Sequence, residues 1–289
     1  MESFVRIEHA LAAVLDPVQA PPAPPRLAAA LRYAVFPGGA RIRPRLCVAV
    51  ARACGEDQPG LTDAAAVSIE LMHCASLVHD DLPCFDDAAT RRGKPSVHRA
   101  FGQRLAVLAG DALIVLALQA LARAACAVPG RLPGLMSIVS SGAGMPCGIV
   151  AGQAWECEAF VALDRYQRAK TGALFAAATM AGAHAAGADP EAWRSLGEHL
   201  GEAYQVADDL SDAAGDPEQL GKPVGRDAAL GRPSAARELG IAGAMARLEH
   251  LVADALDAVP ACTGEMELRT LIRLEARRLV PEELARRAA

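Results

Sequence analysis

The amino-acid sequence predicts an all-α protein, folded as a single domain of ten or more helices over residues 1–289. Its residues are 52% hydrophobic but only 4% aromatic, a composition that favours helices packed closely over small side chains. Apolar and polar residues do not alternate with a period of two over any sustained stretch, so β-strands are not predicted.

Proline- and glycine-rich breaks divide the chain into helical blocks. Residues 21–25, which hold four prolines, and the Pro-Gly-Gly sequence at residues 37–39 are predicted turns. Residues 86–98 and the glycine-containing segment 213–233 are predicted polar loops. The predicted helices cover residues 3–15, 26–35, 43–54, 62–81, 102–126, 132–158, 165–186, 190–213, 234–258 and 265–288.

Charge, hydropathy and cysteine usage argue against several classes of protein. The net charge is −5 and no basic stripe is present, so a nucleic-acid partner is not expected. The longest strongly apolar stretch, residues 112–122, is far shorter than the ~20 residues that a membrane span needs. The acidic, amphipathic N-terminus does not resemble a signal peptide. The eight cysteines form no CxxC pair, and several lie at apolar helical positions, as expected for reduced core residues of a soluble cytoplasmic protein.

Two clusters of aspartate follow apolar helical segments. Their members are Asp80, Asp81, Asp86 and Asp87 in the first cluster, and Asp208, Asp209 and Asp212 in the second. Ionised carboxylates at the end of an apolar helix need a cationic partner. Carboxylate oxygens favour a hard ion such as Mg²⁺, which takes its remaining ligands from water and from substrate phosphates. Two such clusters facing each other would form a diphosphate site.

Lysine stands at only three of the 29 Lys and Arg positions. Lys94 follows the first acid cluster, Lys170 begins a Lys-Thr-Gly sequence, and Lys222 follows the second acid cluster. A lysine ammonium is a compact point charge that can be directed at a phosphate. The three lysines are therefore candidate diphosphate ligands, and the loop at 213–233 is either a lid over the site or a solvated surface loop.

These motifs together resemble those of the trans-isoprenyl diphosphate synthase family, the polyprenyl synthetases, over about residues 31–233. The chain most resembles the bacterial members that make geranylgeranyl diphosphate. The motifs that carry the resemblance are Gly38-Gly-Ala-Arg-Ile-Arg-Pro, His73 with His79-Asp-Asp-Leu-Pro-Cys-Phe-Asp-Asp, Arg91-Arg-Gly-Lys-Pro, Gly110-Asp-Ala-Leu, Gly152-Gln, Lys170-Thr-Gly, Gln205-Val-Ala-Asp-Asp-Leu-Ser-Asp and Leu220-Gly-Lys. The resemblance implies the isoprenoid synthase fold, in which helices surround a central cavity, and a homodimer.

The implied activity is a Mg²⁺-dependent transfer of an allylic group to isopentenyl diphosphate. About three Mg²⁺ ions would hold the allylic diphosphate between the two acid clusters and assist the departure of diphosphate. By resemblance, Asp80, Asp86 and Asp208 are direct metal ligands. The remaining acids, expected to support them directly or through water, are Asp81, Asp209 and Asp212.

The resemblance also implies the residues that meet the substrates. Arg91, Lys170 and Lys222 would neutralise the charge that develops on the leaving diphosphate. The metal-free pocket for isopentenyl diphosphate is expected to hold Arg43, His73 and Arg92. Thr171 and Gln205 are expected near the allylic carbocation, which their oxygen dipoles would stabilise.

Several neighbouring residues are interpreted as structural. His79 is expected to be structural, Asp111 to cap a helix or pair within the core, and the role of Gln153 stays open. Pro83 is expected to end the helix after Leu82 and to let Asp86 turn back toward Asp80.

The chain departs from the family pattern at position 40. The family usually has Lys where this chain has Ala40. Either Arg41 or Arg45 compensates for the missing positive charge, or the affinity for isopentenyl diphosphate is lower.

Product length is expected to depend on Ala75, which lies about 7.5 Å below Asp80 along the helix. An aromatic residue at that position stops growth at farnesyl diphosphate in the family, whereas Ala75 and Ser76 leave room for a further unit. The floor is expected from Leu71 and Met72, or from Leu113 and Val115. The predicted product is geranylgeranyl diphosphate (C20), and the alternatives are farnesyl diphosphate and products of C25 or longer.

Three other functions are compatible with a helical protein of this kind. A class I terpene cyclase shares one aspartate motif but usually lacks the second. A non-catalytic synthase subunit would be expected to have lost a metal-binding aspartate, and this chain retains both sets. A di-iron helical bundle would need Glu-x-x-His ligand pairs at facing positions, which the sequence does not offer.

Overall fold

The computed structural model describes residues 2–160, 162–214 and 234–279. These residues are almost entirely helical, which confirms the all-α prediction. The α-helices are α1 (Glu2–Leu15), α2 (Pro25–Val35), α3 (Ile42–Ala53), α4 (Pro59–Asp80), α5 (Val97–Phe101), α6 (Gln103–Ala124), α7 (Leu132–Ala143), α8 (Ile149–Ala154), α9 (Leu163–Gln167), α10 (Ala173–Ala185), α11 (Arg194–Ala214), α12 (Ala235–Asp257) and α13 (Glu265–Leu279). Short 3₁₀ segments cover Asp16–Gln19, Ala125–Ala127, Pro129–Arg131, Trp155–Cys157 and Glu191–Trp193.

The chain divides into two compact units. The first consists of residues 1–139 and 181–188, and the second of residues 140–180 and 189–289. The single domain expected from the sequence stays a prediction.

The first unit is built around α4 and α6, which pack along each other. Ile69 and Leu71 of α4 and Leu113 and Leu121 of α6 are fully buried, and each such side chain contributes about 1.5–3 kcal/mol. Both helices are long and apolar enough to cross a membrane by length and composition alone. Since 78% of the apolar window of α4 is buried inside the protein, its hydropathy is that of a core helix.

The second unit is built around α11 and α12. Val206 and Leu210 of α11 form one buried cluster with Leu248 and Leu251 of α12. On another face, α11 approaches the segment before α10 so closely that a Cβ atom at Gly201 would lie 2.6 Å from the Cα atom of Gly172. Glycine at position 201 therefore sets the distance between α11 and the segment that carries Lys170 and Thr171.

Two of the predicted helical blocks are interrupted in the structure, and a third is described only in part. The block at 132–158 is broken between α7 and α8, where Gly144, Pro146 and Gly148 interrupt the helix. The block at 165–186 contains a π-helical turn, Arg168–Gly172, between α9 and α10. The predicted helix at 265–288 is observed as far as Leu279, and the rest lies outside the described residues.

The prediction that strands are absent was wrong for one short hairpin. The strands β1 (Thr90–Arg91) and β2 (Lys94–Pro95) pair antiparallel, with Arg91 opposite Lys94. Two residues per strand are too few to produce a periodic pattern, so no alternation in the sequence could indicate them.

The eight cysteines are all free thiols. Cys47 and Cys74 are buried, as predicted for core residues. The prediction was wrong for the exposed members of the set, which are Cys84, Cys126, Cys147 and Cys157.

Candidate active site

The first acid cluster lies where α4 ends. The helix ends at Asp80, one residue before the end of the predicted block at 62–81 and two residues before Leu82, and the chain then folds back on itself. The backbone N–H of Asp86 donates to the carbonyl oxygen of Asp80 at 3.0 Å, and the N–H of Asp87 donates to Leu82 at 3.0 Å. This turn contains Pro83 and returns Asp86 to the end of the helix, as the sequence predicted.

Asp81 is held by Arg91 of the β-hairpin. The Nε and Nη2 atoms of Arg91 lie 3.0 and 2.5 Å from Oδ1 of Asp81, and Nη2 lies 3.8 Å from Oδ2 of Asp80. Burial raises the pKa of the Asp81 carboxyl above its usual value, while the hydrogen bonds from Arg91 oppose that rise. Asp81 thus fixes the guanidinium of Arg91 beside Asp80.

The second acid cluster lies on α11, where its three aspartates differ in exposure. Asp208 is exposed, Asp212 is half-buried, and Asp209 is buried. Asp208 and Asp212 are four residues apart and therefore share one face of the helix.

Asp209 is enclosed by hydrogen-bond donors from three helical segments. Its carboxylate accepts from Nε2 of Gln205 at 2.9 Å, from Nε2 of Gln167 at 3.3 Å and from the backbone N–H of Ala235 at 2.7 Å. These bonds join α9, α11 and the start of α12. Asp209 therefore fixes the relative positions of these helices within the second unit.

The structure brings Thr171 and Gln205 together, as expected. The hydroxyl of Thr171 donates to Oε1 of Gln205 at 2.7 Å, and Gln205 in turn donates to Asp209. Thr171 lies in the π-helical turn, a kind of helix defect that is frequent at functional sites. The result is a chain of hydrogen bonds that sets the orientation of both side chains.

Lys170 is paired with Glu156. Its ammonium bonds Oε1 of Glu156, which also accepts from the hydroxyl of Tyr166 at 2.6 Å. Gln153, whose role the sequence left open, donates to the other oxygen of Glu156 at 3.3 Å. A Cβ atom at Gly152 would lie 2.4 Å from the backbone of Lys170, so α8 can approach the π turn only because residue 152 is glycine.

Sequence reasoning missed Gln167 and Glu156. Gln167 lies four residues before Thr171, and this helical spacing could have linked it to the same face. Glu156 offered no comparable signal, because it falls inside a segment that was predicted as one continuous helix.

Three residues of the predicted isopentenyl diphosphate pocket lie near one another in the first unit. Burial chiefly, and then the positive charges of Arg43 and Arg92, hold the pKa of His73 well below its ordinary value of 6.5. His73 is therefore neutral at pH 7. A Cβ atom at Gly39 would lie 3.2 Å from Nε of Arg92, so the Gly38-Gly39 turn rests against this arginine.

Two candidate cations are engaged elsewhere. The ammonium of Lys94 donates to the carbonyl oxygens of Tyr33 and Phe36 at 2.6 and 2.8 Å, so the interpretation of Lys94 as a diphosphate ligand was wrong. Arg41 is buried in ion pairs with Glu8 and Glu70 and does not replace the missing lysine beside the exposed Ala40.

His79 has the structural role that was predicted. Its Nε2 lies 3.2 Å from the carbonyl oxygen of Val107, and a Cβ atom at Gly110 would lie 2.1 Å from the same nitrogen. The ring therefore fills the space above a glycine of α6. Asp111 pairs with this histidine, as predicted, with Oδ1 3.8 Å from Nε2, but its side chain is 60% exposed, so the predicted location in the core was wrong.

The residues proposed to limit product length differ in burial. Ala75 is 2% exposed, and Leu71, Met72 and Leu113 are also buried. The hydroxyl of Ser76 donates to the carbonyl oxygen of His73 at 2.8 Å. Val115 is 53% exposed, so its proposed contribution to an internal floor was wrong.

The donor chemistry of both clusters fits Mg²⁺. Among the residues that the structure describes, no three His, Cys, Asp or Glu side chains form a group that could hold a metal ion by themselves. Mg²⁺ does not need such a group, since it is usually bound through one or two carboxylates together with water and substrate phosphates. Lys222 and residues 215–233 of the predicted lid at 213–233 lie outside the described residues.

Comparison with known proteins extends over almost the whole chain. Residues 24–267 match the family described as Polyprenyl synthetase. A geranylgeranyl diphosphate synthase of Cereibacter sphaeroides is 55% identical over 282 residues, which cover 98% of each chain. One of Rhodobacter capsulatus is 52% identical over 275 residues, 95% of each chain. A similar fold is found in the crystal structure of a Helicobacter pylori geranyltransferase complexed with magnesium and isoprenyl diphosphate. The two structures align with a TM-score of 0.80 at 28% sequence identity, and the alignment covers 94% of this chain and 96% of that one.

Proposed function

The chain belongs to the polyprenyl synthetase family and is a prenyltransferase, and we propose that it joins isopentenyl diphosphate to allylic diphosphates to make geranylgeranyl diphosphate. The observation that carries this proposal is the near-complete similarity to two geranylgeranyl diphosphate synthases. The two aspartate clusters and the separate basic pocket supply the chemistry that two diphosphate substrates require.

The allylic diphosphate is bound through Mg²⁺ at the aspartate clusters. Asp80, Asp86 and Asp208 would hold about three ions, and Asp212 would assist from the same face of α11 as Asp208. When bound, Mg²⁺ supplies Lewis-acid stabilisation of the departing diphosphate. Support for these assignments comes from the oxygen-only donor set and from the similar Helicobacter pylori geranyltransferase, whose crystal structure is a complex with magnesium and isoprenyl diphosphate.

Asp81 and Asp209 orient the site. Asp81 fixes Arg91 beside Asp80, and Asp209 fixes Gln205 and, through it, Thr171. Oxygen dipoles that are already oriented before reaction stabilise developing positive charge without the cost of reorganisation. In this proposal Thr171 and Gln205 would face the allylic cation, and Arg91, Lys170 and Lys222 would meet the negative charge of the leaving group.

Isopentenyl diphosphate binds without metal at Arg43, His73 and Arg92. The two guanidinium groups supply charge, and the neutral His73 supplies a hydrogen bond without adding a third positive charge to a crowded site. The double bond of the substrate attacks the allylic cation, and the proton lost afterwards passes to the released diphosphate.

The C20 product follows from the small side chain at position 75. In this proposal Ala75 and Ser76 leave space for the growing chain below the first acid cluster, and the buried side chains of Leu71, Met72 and Leu113 end that space. A packed interior does not expand to admit a further unit at low cost.

We propose one catalytic domain over residues 1–289 that forms a homodimer in the cytoplasm. Val107, Leu108 and Val115 of α6 are 42%, 50% and 53% exposed, and such apolar surface on a long helix suits a subunit interface. Eight free thiols suit a reducing compartment.

Release of diphosphate from the purified chain tests the proposal. With Mg²⁺, an allylic diphosphate and isopentenyl diphosphate together should release diphosphate, whereas either substrate alone should not. Release from the allylic substrate alone would indicate a terpene cyclase, and no release from both would indicate a non-catalytic subunit.

A further inference from the structure

The C-terminal end of α2 is held by two cations that the proposed reaction does not use. Lys94 donates to the carbonyl oxygens of Tyr33 and Phe36, and Nη2 of Arg41 donates to that of Val35 at 2.8 Å. The last carbonyls of a helix lack intrahelical partners and carry partial negative charge, so cations stabilise this end. The Lys94 ammonium also lies 3.8 Å from the centroid of the Tyr33 ring.

Arg41 is fully buried and joins three helices. Its Nε donates to Glu8 of α1 at 2.7 Å, its Nη1 donates to Glu70 of α4 at 2.6 Å, and its Nη2 reaches the end of α2. A guanidinium presents its donors in a planar fork, so it can meet three acceptors in three directions at once. A Cβ atom at Gly38 would lie 2.0 Å from Cζ of Arg41, so the turn after α2 wraps closely around this group.

Each residue of the isopentenyl diphosphate pocket lies close in sequence to one of these contacts. Arg43 is in the first turn of α3, which begins directly after Arg41. His73 lies three residues after Glu70 on α4, and therefore on the same side of that helix. Arg92 lies two residues before Lys94 in the β-hairpin. The contacts of Arg41 and Lys94 thus set the positions of all three elements that carry the pocket.

We propose that Arg41 and Lys94 are positioning residues, which lock the end of α2 so that Arg43, His73 and Arg92 converge on the second diphosphate. The inference rests on the proposed function, because it concerns the pocket assigned there. The positive charges of Arg43 and Arg92 both act on His73, so a fixed scaffold is needed to hold these like charges close to the same histidine. Preorganisation of this kind lowers the cost of ordering the site when the substrate binds.

Two substitutions test the proposal. In Arg41→Lys a single ammonium replaces the guanidinium and loses its hydrogen-bond partner on at least one helix. In Lys94→Met the aliphatic part of the side chain remains, but its N–H donors are lost. We expect the KM for isopentenyl diphosphate to rise about tenfold in each, since small displacements of binding groups carry large penalties. The KM for the allylic substrate should stay within about twofold, because the aspartate clusters are not altered and Asp81 still holds Arg91.

Arg6→Lys is the matched control. Arg6 also joins α1 to other parts of the first unit, through Glu56 at 2.5 Å, Asp63 at 2.6 Å and the carbonyl oxygen of Pro59 at 3.0 Å. Loss of the Arg6 guanidinium should lower the Tm about as much as Arg41→Lys does. The KM for isopentenyl diphosphate should nevertheless stay within about twofold of the wild-type value. The comparison distinguishes a general loss of stability from a displacement of the residues that bind isopentenyl diphosphate.

Calorimetric titration of the metal-free protein with isopentenyl diphosphate gives a second readout without turnover. The Kd should rise about tenfold in Arg41→Lys and Lys94→Met, which corresponds to about 1.4 kcal/mol. If Arg41→Lys does not fold, Glu8→Gln replaces it, because Glu8 lies at the partly exposed edge of the cluster and its loss should raise the KM about threefold.

The proposal is overturned if folded variants at both positions bind isopentenyl diphosphate within about twofold of the wild type. It is also overturned if Arg6→Lys raises the KM as much as they do, since the effect would then be general. A wild-type protein that does not condense the two substrates would contradict the proposed function, which the variants do not address.

Discussion

The backbone N–H of Asp86 donates a hydrogen bond of 3.0 Å to the carbonyl oxygen of Asp80, so the two aspartates that bracket Pro83 return to one place. Asp81, between them in sequence, is turned to Arg91. The second cluster divides in the same way, because Asp209 is enclosed by protein donors while Asp208 is exposed. We therefore expect one aspartate of each cluster to orient the site and its neighbour to bind metal.

Removal of either proposed metal ligand should abolish most of the activity. Asp80→Ala or Asp208→Ala should lower kcat at least ~100-fold at saturating Mg²⁺, since each loses stabilisation of charge in the transition state. Asp87→Ala is the control, because this exposed aspartate pairs with Arg99 at 2.9 Å and is not a proposed ligand. Near-normal turnover of Asp80→Ala or Asp208→Ala would show that the metal ligands are wrongly assigned.

Restoring a cation at position 40 should improve binding of one substrate only. Ala40 is exposed beside the pocket sequence, and Arg41 is committed to Glu8 and Glu70. Ala40→Lys should lower the KM for isopentenyl diphosphate, because a charge-assisted contact contributes roughly 1.5–3 kcal/mol if it reaches the diphosphate. Steady-state kinetics with each substrate varied in turn measures this, and an effect confined to the allylic substrate would place the pocket elsewhere.

A ring at position 75 should shorten the product. Ala75 is 2% exposed, so Ala75→Phe places an aromatic group where the growing chain is expected, and the main product should change from geranylgeranyl to farnesyl diphosphate. Leu274→Phe is the matched control, since Leu274 of α13 is 51% exposed, lies outside the proposed subunit interface and should not affect product length. Chromatography of the products decides; continued C20 synthesis by Ala75→Phe would mean that the chain extends along another face of α4.

The low pKa of His73 should make stability depend on pH. Burial and the neighbouring arginines hold the pKa below 6.5 in the folded protein, whereas the unfolded chain takes up a proton near that value. Between the two values the unfolded state binds more protons, so the free energy of unfolding should rise with pH, by up to about 1.36 kcal/mol per unit. Urea unfolding at about pH 5, 6 and 7 should show a smaller slope for His73→Gln than for the wild type. Equal slopes would mean that His73 is not held neutral in the folded protein.

The parts of the fold and site that could be predicted are those encoded locally. The acid clusters, the return of Asp86 after Pro83 and the basic sequence around Arg43 each depend on residues near one another in the chain. The partners of Arg41 and Lys94 could not be predicted, because a cation in a sequence indicates charge and not the distant carboxylate or helix end that it contacts. The exposure of Asp111 and Val115 was missed because α6 is apolar on most sides, so its pattern does not indicate which face is buried.

The decisive measurement is the size of the product made from labelled isopentenyl diphosphate. The purified chain should be incubated with Mg²⁺ and, in turn, with the C5, C10 and C15 allylic diphosphates, and the products should be separated by chain length. We predict geranylgeranyl diphosphate as the main product from every primer and no product when the metal is chelated. A main product that stops at C15 or continues to C25, or labelled isopentenyl diphosphate that is left unused, would contradict the proposed function.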